Sequence, residues 1–130
     1  MSQKGRGWAK YGINKWRKRE IMNFCRQYPY WQKEREYGLH AVAMDGMSHT
    51  NQVSRPTEQQ AIRNAELTYN INLVEQAIRD VCPGIYEAML RNITEGIAFN
   101  YLDGTIPYGQ AEFYSIRIEV YAKISERRGK

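Results

Sequence analysis

Five apolar residues, Leu67, Ile71, Val74, Ile78 and Val81, recur at steps of four, three, four and three, and Cys82-Pro83-Gly84 follows them at once. A seam with that spacing lies along one side of an α-helix and has to be buried against other elements. Proline cannot extend the helix and glycine favours its termination, so the helix stops where the seam stops. Its beginning is expected near Thr57, which with Gln60 has the form of a capping box, while Glu58 sets negative charge in the first turn. A second stripe of Ile62, Ala65, Tyr69 and Leu73 makes the apolar face wider than a solvent-facing helix needs. One stripe is expected on the chain's own C-terminal helices, the other on the N-terminal helix or a second subunit. The seam spans about two heptads, fewer than a coiled coil requires, so a homodimer stays an open alternative.

After this helix the parts come in a recognisable order. Ile85, Met89 and Ile93, with Ala88 and Leu90, give a helix a buried face, and Gly96 stands where a left-handed C-terminal residue is wanted. Phe99, Tyr101 and Leu102 supply a very short helical turn, and Asp103-Gly104 and Pro107-Tyr108-Gly109 are turn chemistry. A closing helix begins near Gln110, with Phe113, Ile116, Val120 and Ile124 inward. Residues 84–124 therefore have the layout of a helix-turn-helix, in which one helix supports and the next is offered to a DNA groove. Base contacts would come from Gln110, Ala111, Glu112, Tyr114, Ser115 and Arg117. An ordinary bundle of three helices has the same pattern.

Charge divides the chain differently. Residues 1–40 carry ten Lys and Arg against three Asp and Glu, residues 41–100 four against seven, and residues 101–130 five against four. Lys4, Arg6, Lys10, Lys15, Arg17, Lys18 and Arg19 alternate with Trp8, Tyr11 and Trp16. Cations interleaved with aromatic planes suit a nucleic-acid backbone and its bases, or an acidic protein surface. An amphipathic helix is expected from Ile13 or Asn14, with Asn14 able to cap it, to Pro29; Ile13, Trp16, Ile21, Phe24 and Tyr28 fall near helical spacing. That spacing assigns Trp16 to the core rather than to a stacking surface.

The fold expected is all-α: a basic N-terminal helical arm over 1–37, a linker over 38–56, and a helical domain over 57–130 containing the helix-turn-helix. The linker holds His40, Asp45 and His49, whose spacing matches no closed metal site. Cys25 and Cys82 are expected as free thiols packed as small apolar groups. No apolar run approaches the roughly 20 residues of a membrane helix, and the first ten residues have no signal-peptide character. Neither a phosphate-cradling glycine loop nor a nucleophile with a nearby base is legible, so no catalytic residue, metal or cofactor is assigned and the chain is not read as an enzyme.

Four stretches together resemble the small phage-encoded late transcriptional regulators of the RinA and ArpU kind: RQYPYW (26–31), SRPTEQQAIRNAEL (54–67), NINLVEQAI (70–78), and IYEAMLRNITEGIAFNYL with PYGQAEFYSIR (85–102 and 107–117). The resemblance covers roughly residues 20–125. It implies an all-α protein in the cytoplasm of a bacterial host, with a C-terminal part like the promoter-reading region of a sigma factor, acting on double-stranded promoter DNA without a cofactor. The chain departs from that pattern where basic residues usually follow the glycine of the PYG-like turn. Gln110 and Ala111 stand there, and Ile118 and Glu119 follow Arg117. Fewer cations at the groove mean fewer phosphate contacts. The expected function is thus DNA-binding regulation of phage late genes. The alternatives are an interaction protein that grips host RNA polymerase or a nucleic-acid-guided defence nuclease, and an RNA-binding or packaging accessory resting on the basic arm.

Overall fold

The computed structural model describes the backbone of residues 3–37, 54–102 and 106–129, and the side chains of 7–37, 58–102 and 106–129. Six helices are present among these residues: α1 (Gln3–Lys10), α2 (Lys15–Arg26), α3 (28–37), α4 (Ser54–Val81), α5 (Tyr86–Glu95) and α6 (Gln110–Arg128). Single 3-10 turns stand at Pro83–Ile85 and Phe99–Tyr101. No strand occurs among the described residues, whose regular structure is all helical. His40, Asp45, His49 and the turn at Asp103-Gly104 lie outside the described residues.

The seam on α4 organises the core. Leu67, Ile71, Val74 and Ile78 are all at most 1% exposed, and they face Phe113, Val120 and Ile124 of α6 and Met89 and Ile93 of α5 in one apolar cluster. Helix α6 packs on α4, α2 and α1, and α5 packs on α2 and α4. Trp8, Ile13, Ile21, Phe24, Cys25, Tyr28 and Trp31 of the N-terminal helices join the same cluster. Helix α4 begins at Ser54, three residues ahead of the expected capping box, so Thr57 lies within the helix and not at its cap. The second stripe divides. Leu73 is buried, whereas Ile62 and Tyr69 are 59% and 62% exposed and line a shallow depression with Arg63, Ala65, Glu66 and Asn70.

Two glycines set the helix ends. Gly12 at φ 71° breaks what the apolar pattern alone would run on as one helix, so α1 and α2 meet at a corner. Asn14 then caps α2, its Oδ1 accepting the Arg17 backbone N–H at 2.8 Å. Gly96 at φ 75° closes α5 in the left-handed region, and a Cβ there would also run into the Arg26 guanidinium. Pro29 sits in the first turn of α3, where its missing N–H costs nothing.

The end of α6 is tied down by ions. Arg17 donates to the Ser125 hydroxyl at 2.9 Å, to the Ser125 carbonyl at 3.0 Å, and to the Gly129 carbonyl. Arg128 meets Glu20 at 2.6 Å and Arg127 meets Asp80 at 2.5 Å. On the other flank Arg63 grips Glu34 at 2.7 Å, joining α3 to α4. The Arg128 hydrogen bond holds the Glu20 carboxyl below the usual range, Arg127 does the same for Asp80, and Arg63 for Glu34. Carboxylates depressed by folding stabilise above their unfolded pKa and lose that contribution as pH falls through the folded value. The urea midpoint is therefore expected to hold steady from neutrality to about pH 5 and to fall below about pH 4. The double variant Arg127→Ala/Arg128→Ala is expected to show a shallower acid decline than the parent chain.

Candidate functional site

Helix α2 turns two different sides to its surroundings. Counting about 100° per residue, Arg17, Phe24 and Cys25 lie within roughly 60° of Ile21, whereas Trp16 lies roughly 140° away. The consequence is visible in burial: Ile21 and Cys25 are fully buried, and Trp16 is 64% exposed. The expectation that Trp16 belongs to the core is thus overturned. Its sequence distance to Ile13 imitates helical spacing, but Ile13 precedes the cap and is not on the helix at all. Trp8 takes the core position instead, 6% exposed and stacked on Tyr121 at 5.5 Å between ring centroids.

The cations follow the same division. Lys15 Nζ stands 5.2 Å from the Trp16 ring centroid and the Arg19 guanidinium 5.3 Å from it. Lys10 Nζ is 5.5 Å from the ring of Tyr11, itself 39% exposed, and Lys18 Nζ is 5.2 Å from the ring of Trp8. Among the described residues, none of Lys10, Lys15, Lys18 and Arg19 has an acidic partner within ion-pair distance. Arg17 is the exception in the run, since its guanidinium is committed to Glu20, Ser125 and Gly129. The side chains of Lys4 and Arg6 lie outside those described. The basic face ends at an open groove of about 430 Å³ beside Tyr11, where Glu119 and Glu126 flank Lys123.

The start of α6 is a different surface. Gln110, Ala111, Glu112 and Ser115 are exposed, Phe113 is buried, and Tyr114 is half-buried with its hydroxyl accepting the Phe99 N–H at 3.2 Å. Gly109 caps the helix without a side-chain hydrogen bond. Arg117 points inward: Nη1 donates to the Asn92 side-chain Oδ1 at 3.2 Å, and the guanidinium lies 4.4 Å from the Tyr114 ring centroid and 5.7 Å from that of Tyr121. Its Nε is buried and finds no hydrogen-bond partner among the described residues. Between Gln110 and Ile116 the helix contributes no cation. The connection from α5 to α6 covers residues 96–109, with the 3-10 turn Phe99–Tyr101 inside it, and α6 packs chiefly on α4.

The two sets of residues singled out in the sequence therefore part company. Lys15 and Arg19 stand at the exposed Trp16 ring, Lys10 at that of Tyr11 and Lys18 at that of the buried Trp8, while Arg17 and Arg117 serve internal contacts. The signal that would have found Trp16 is the phase of α2 measured from Ile21 rather than from Ile13. Cys25 and Cys82 are buried and unbridged, and burial pushes their thiols up to about 12 and about 11, so neither is poised as a thiolate nucleophile. Among the described residues no three His, Cys, Asp or Glu side chains gather as metal ligands, and no helix is long and apolar enough to cross a membrane. Compared with family models, curated proteins and solved structures, the chain matches none.

Proposed function

We propose that the chain is a DNA-binding regulator of the phage late-transcription kind, which takes hold of the phosphate backbone with the corner between α1 and α2. The observation that carries this reading is the set of four cations, Lys10, Lys15, Lys18 and Arg19, without acidic partners among the described residues and arranged beside aromatic rings. Unpaired charge on an ordered helix is available to displace counterions from a polyanion, which is the main source of non-specific nucleic-acid affinity. In this proposal the 84–124 segment is the helix-turn-helix and the start of α6, through Gln110 and Ser115, is the base-reading element, with the phosphate contacts it lacks supplied from the corner. A mobility-shift titration against duplex DNA is expected to give a log–log salt slope of about −3 to −4, one step of roughly −0.9 for each cation engaged. No binding at low salt overturns the proposal.

A second reading has its own observation. Tyr30, Tyr37 and Tyr101 are each at least 74% exposed, and tyrosine is enriched in protein-binding hot spots. A host protein, such as RNA polymerase or a nucleic-acid-guided defence nuclease, would be the partner. Capture of one host protein that persists after nuclease treatment would favour it, because a protein contact survives loss of nucleic acid.

A further inference from the structure

We infer that Trp16 is a stacking platform for an unpaired nucleobase, so that the α1–α2 corner binds single-stranded nucleic acid, or an unpaired stretch within a duplex, more tightly than fully paired DNA. The inference rests on the polyanion-binding reading above and specifies the form of polyanion.

Of the three tryptophans, Trp8 and Trp31 are 6% and 5% exposed and complete the core, while Trp16 is 64% exposed. An indole left largely in water on an ordered helix keeps a large apolar face, over which, among the described residues, stand the side chains of Lys15 and Arg19. The helix beneath it is held firmly. Ile21, Phe24 and Cys25 bury the opposite side of α2, and Arg17, the next residue, is fastened to Ser125 and Gly129 at the end of α6. A ring so mounted loses little side-chain freedom when a flat partner settles on it.

Paired DNA does not offer that partner, because in a duplex each base face is already covered by its neighbours. Unpaired bases do, and every base has a π-face, so the recognition is tolerant of sequence. Lys15 and Arg19 stand 5.2 and 5.3 Å from the ring and carry the charge that a strand's phosphates require on either side of a stacked base. Lys10 with Tyr11 repeats the cation and ring pairing at the same corner. DNA and RNA strands share this chemistry of base face and phosphate, and the arms of the test separate them.

The test uses the full chain and labelled probes of one mixed sequence, about 20 nucleotides long: single-stranded DNA, single-stranded RNA, the DNA duplex, and the duplex with an internal unpaired bubble. Single-stranded and bubble probes are expected to bind about tenfold tighter than duplex and to quench tryptophan emission at saturation. Trp16→Ala, which leaves the buried side of α2 untouched, is expected to remove about tenfold from unpaired probes and less than about twofold from duplex. Lys15→Gln with Arg19→Gln should weaken all probes alike. A Trp16-dependent advantage on both strands, or on one alone, supports the platform and names its source. Equal loss on duplex and single strand, or emission that stays unquenched at saturation, overturns the stacking inference while leaving the polyanion reading in place. No binding to any probe at low salt overturns both.

Discussion

Replacing Lys10, Lys15, Lys18 and Arg19 together by glutamine is expected to weaken duplex DNA binding by about 10³–10⁴-fold near 0.1 M salt, and to flatten the log–log salt slope by about 3 to 4. Each engaged cation contributes roughly 0.9 to that slope, which at about 0.1 M salt amounts to nearly one decade of affinity relative to 1 M. Four such contacts together account for that loss of about 10³–10⁴-fold. Stability should hardly move. None of the four has an acidic partner among the described residues, and what they lose is a set of ring contacts at exposed or half-exposed positions, each worth about 0.5–1 kcal/mol at most. The contrasting variant is Gln110→Ala with Ser115→Ala. If the start of α6 reads bases, that pair leaves affinity for random duplex within about twofold and removes about 1–3 kcal/mol of discrimination between a target site and other sequences. Filter binding across a salt series, with a chosen late-promoter fragment and a scrambled one, separates the two surfaces. A quadruple variant that keeps the parent slope would assign the phosphate contacts elsewhere.

The helices were legible wherever a local rule and the burial pattern agreed. Asn14 caps α2, Gly96 closes α5, Cys82-Pro83-Gly84 follows the last residue of α4, and Gln110 opens α6, each as the sequence signals. What the sequence left hidden is the direction in which individual side chains point. Trp16 and Trp8 are both aromatic residues near helical spacing, and only the corner at Gly12 decides which of them reaches Tyr121. Arg17 and Arg19 are two residues apart on one helix, hence about 160° apart around it, and so one clamps α6 while the other faces outward. Arg117 was a plausible base-reader by position, yet the partners that draw it inward, Asn92 and Tyr114, lie on α5 and on its own preceding turn. A charged residue declares its type in the sequence, but its availability depends on tertiary neighbours. The thiols follow the same logic in a simpler form, since Cys25 and Cys82 needed only an apolar surrounding to be buried and unpaired.

The largest loss of stability is expected from Phe113→Ala. Phe113 is fully buried, the first core residue of α6, with ring centroids of Phe99 and Tyr114 at 5.2 and 5.4 Å. Truncating a buried phenylalanine to alanine costs about 3–5 kcal/mol, from lost transfer energy and the cavity left behind. Against a total of about 5–15 kcal/mol for a domain of this kind, that is at least about a fifth of the margin. A urea titration should show the midpoint falling steeply with an unchanged slope, whereas Phe113→Leu, which keeps most of the volume, should cost about 1–1.5 kcal/mol. The damage should also be uneven in function. Phe113 holds the 3-10 turn Phe99–Tyr101 against α6, and the Tyr114 hydroxyl fixes the Phe99 N–H beside it. The basic corner depends instead on Trp8, Ile21 and the Arg17 clamp, at the far half of α6. In the milder Phe113→Leu variant, non-specific duplex affinity should therefore survive while discrimination by the start of α6 declines. If both properties fall together, the two surfaces are mechanically one site. If neither falls, the start of α6 takes no part in reading DNA.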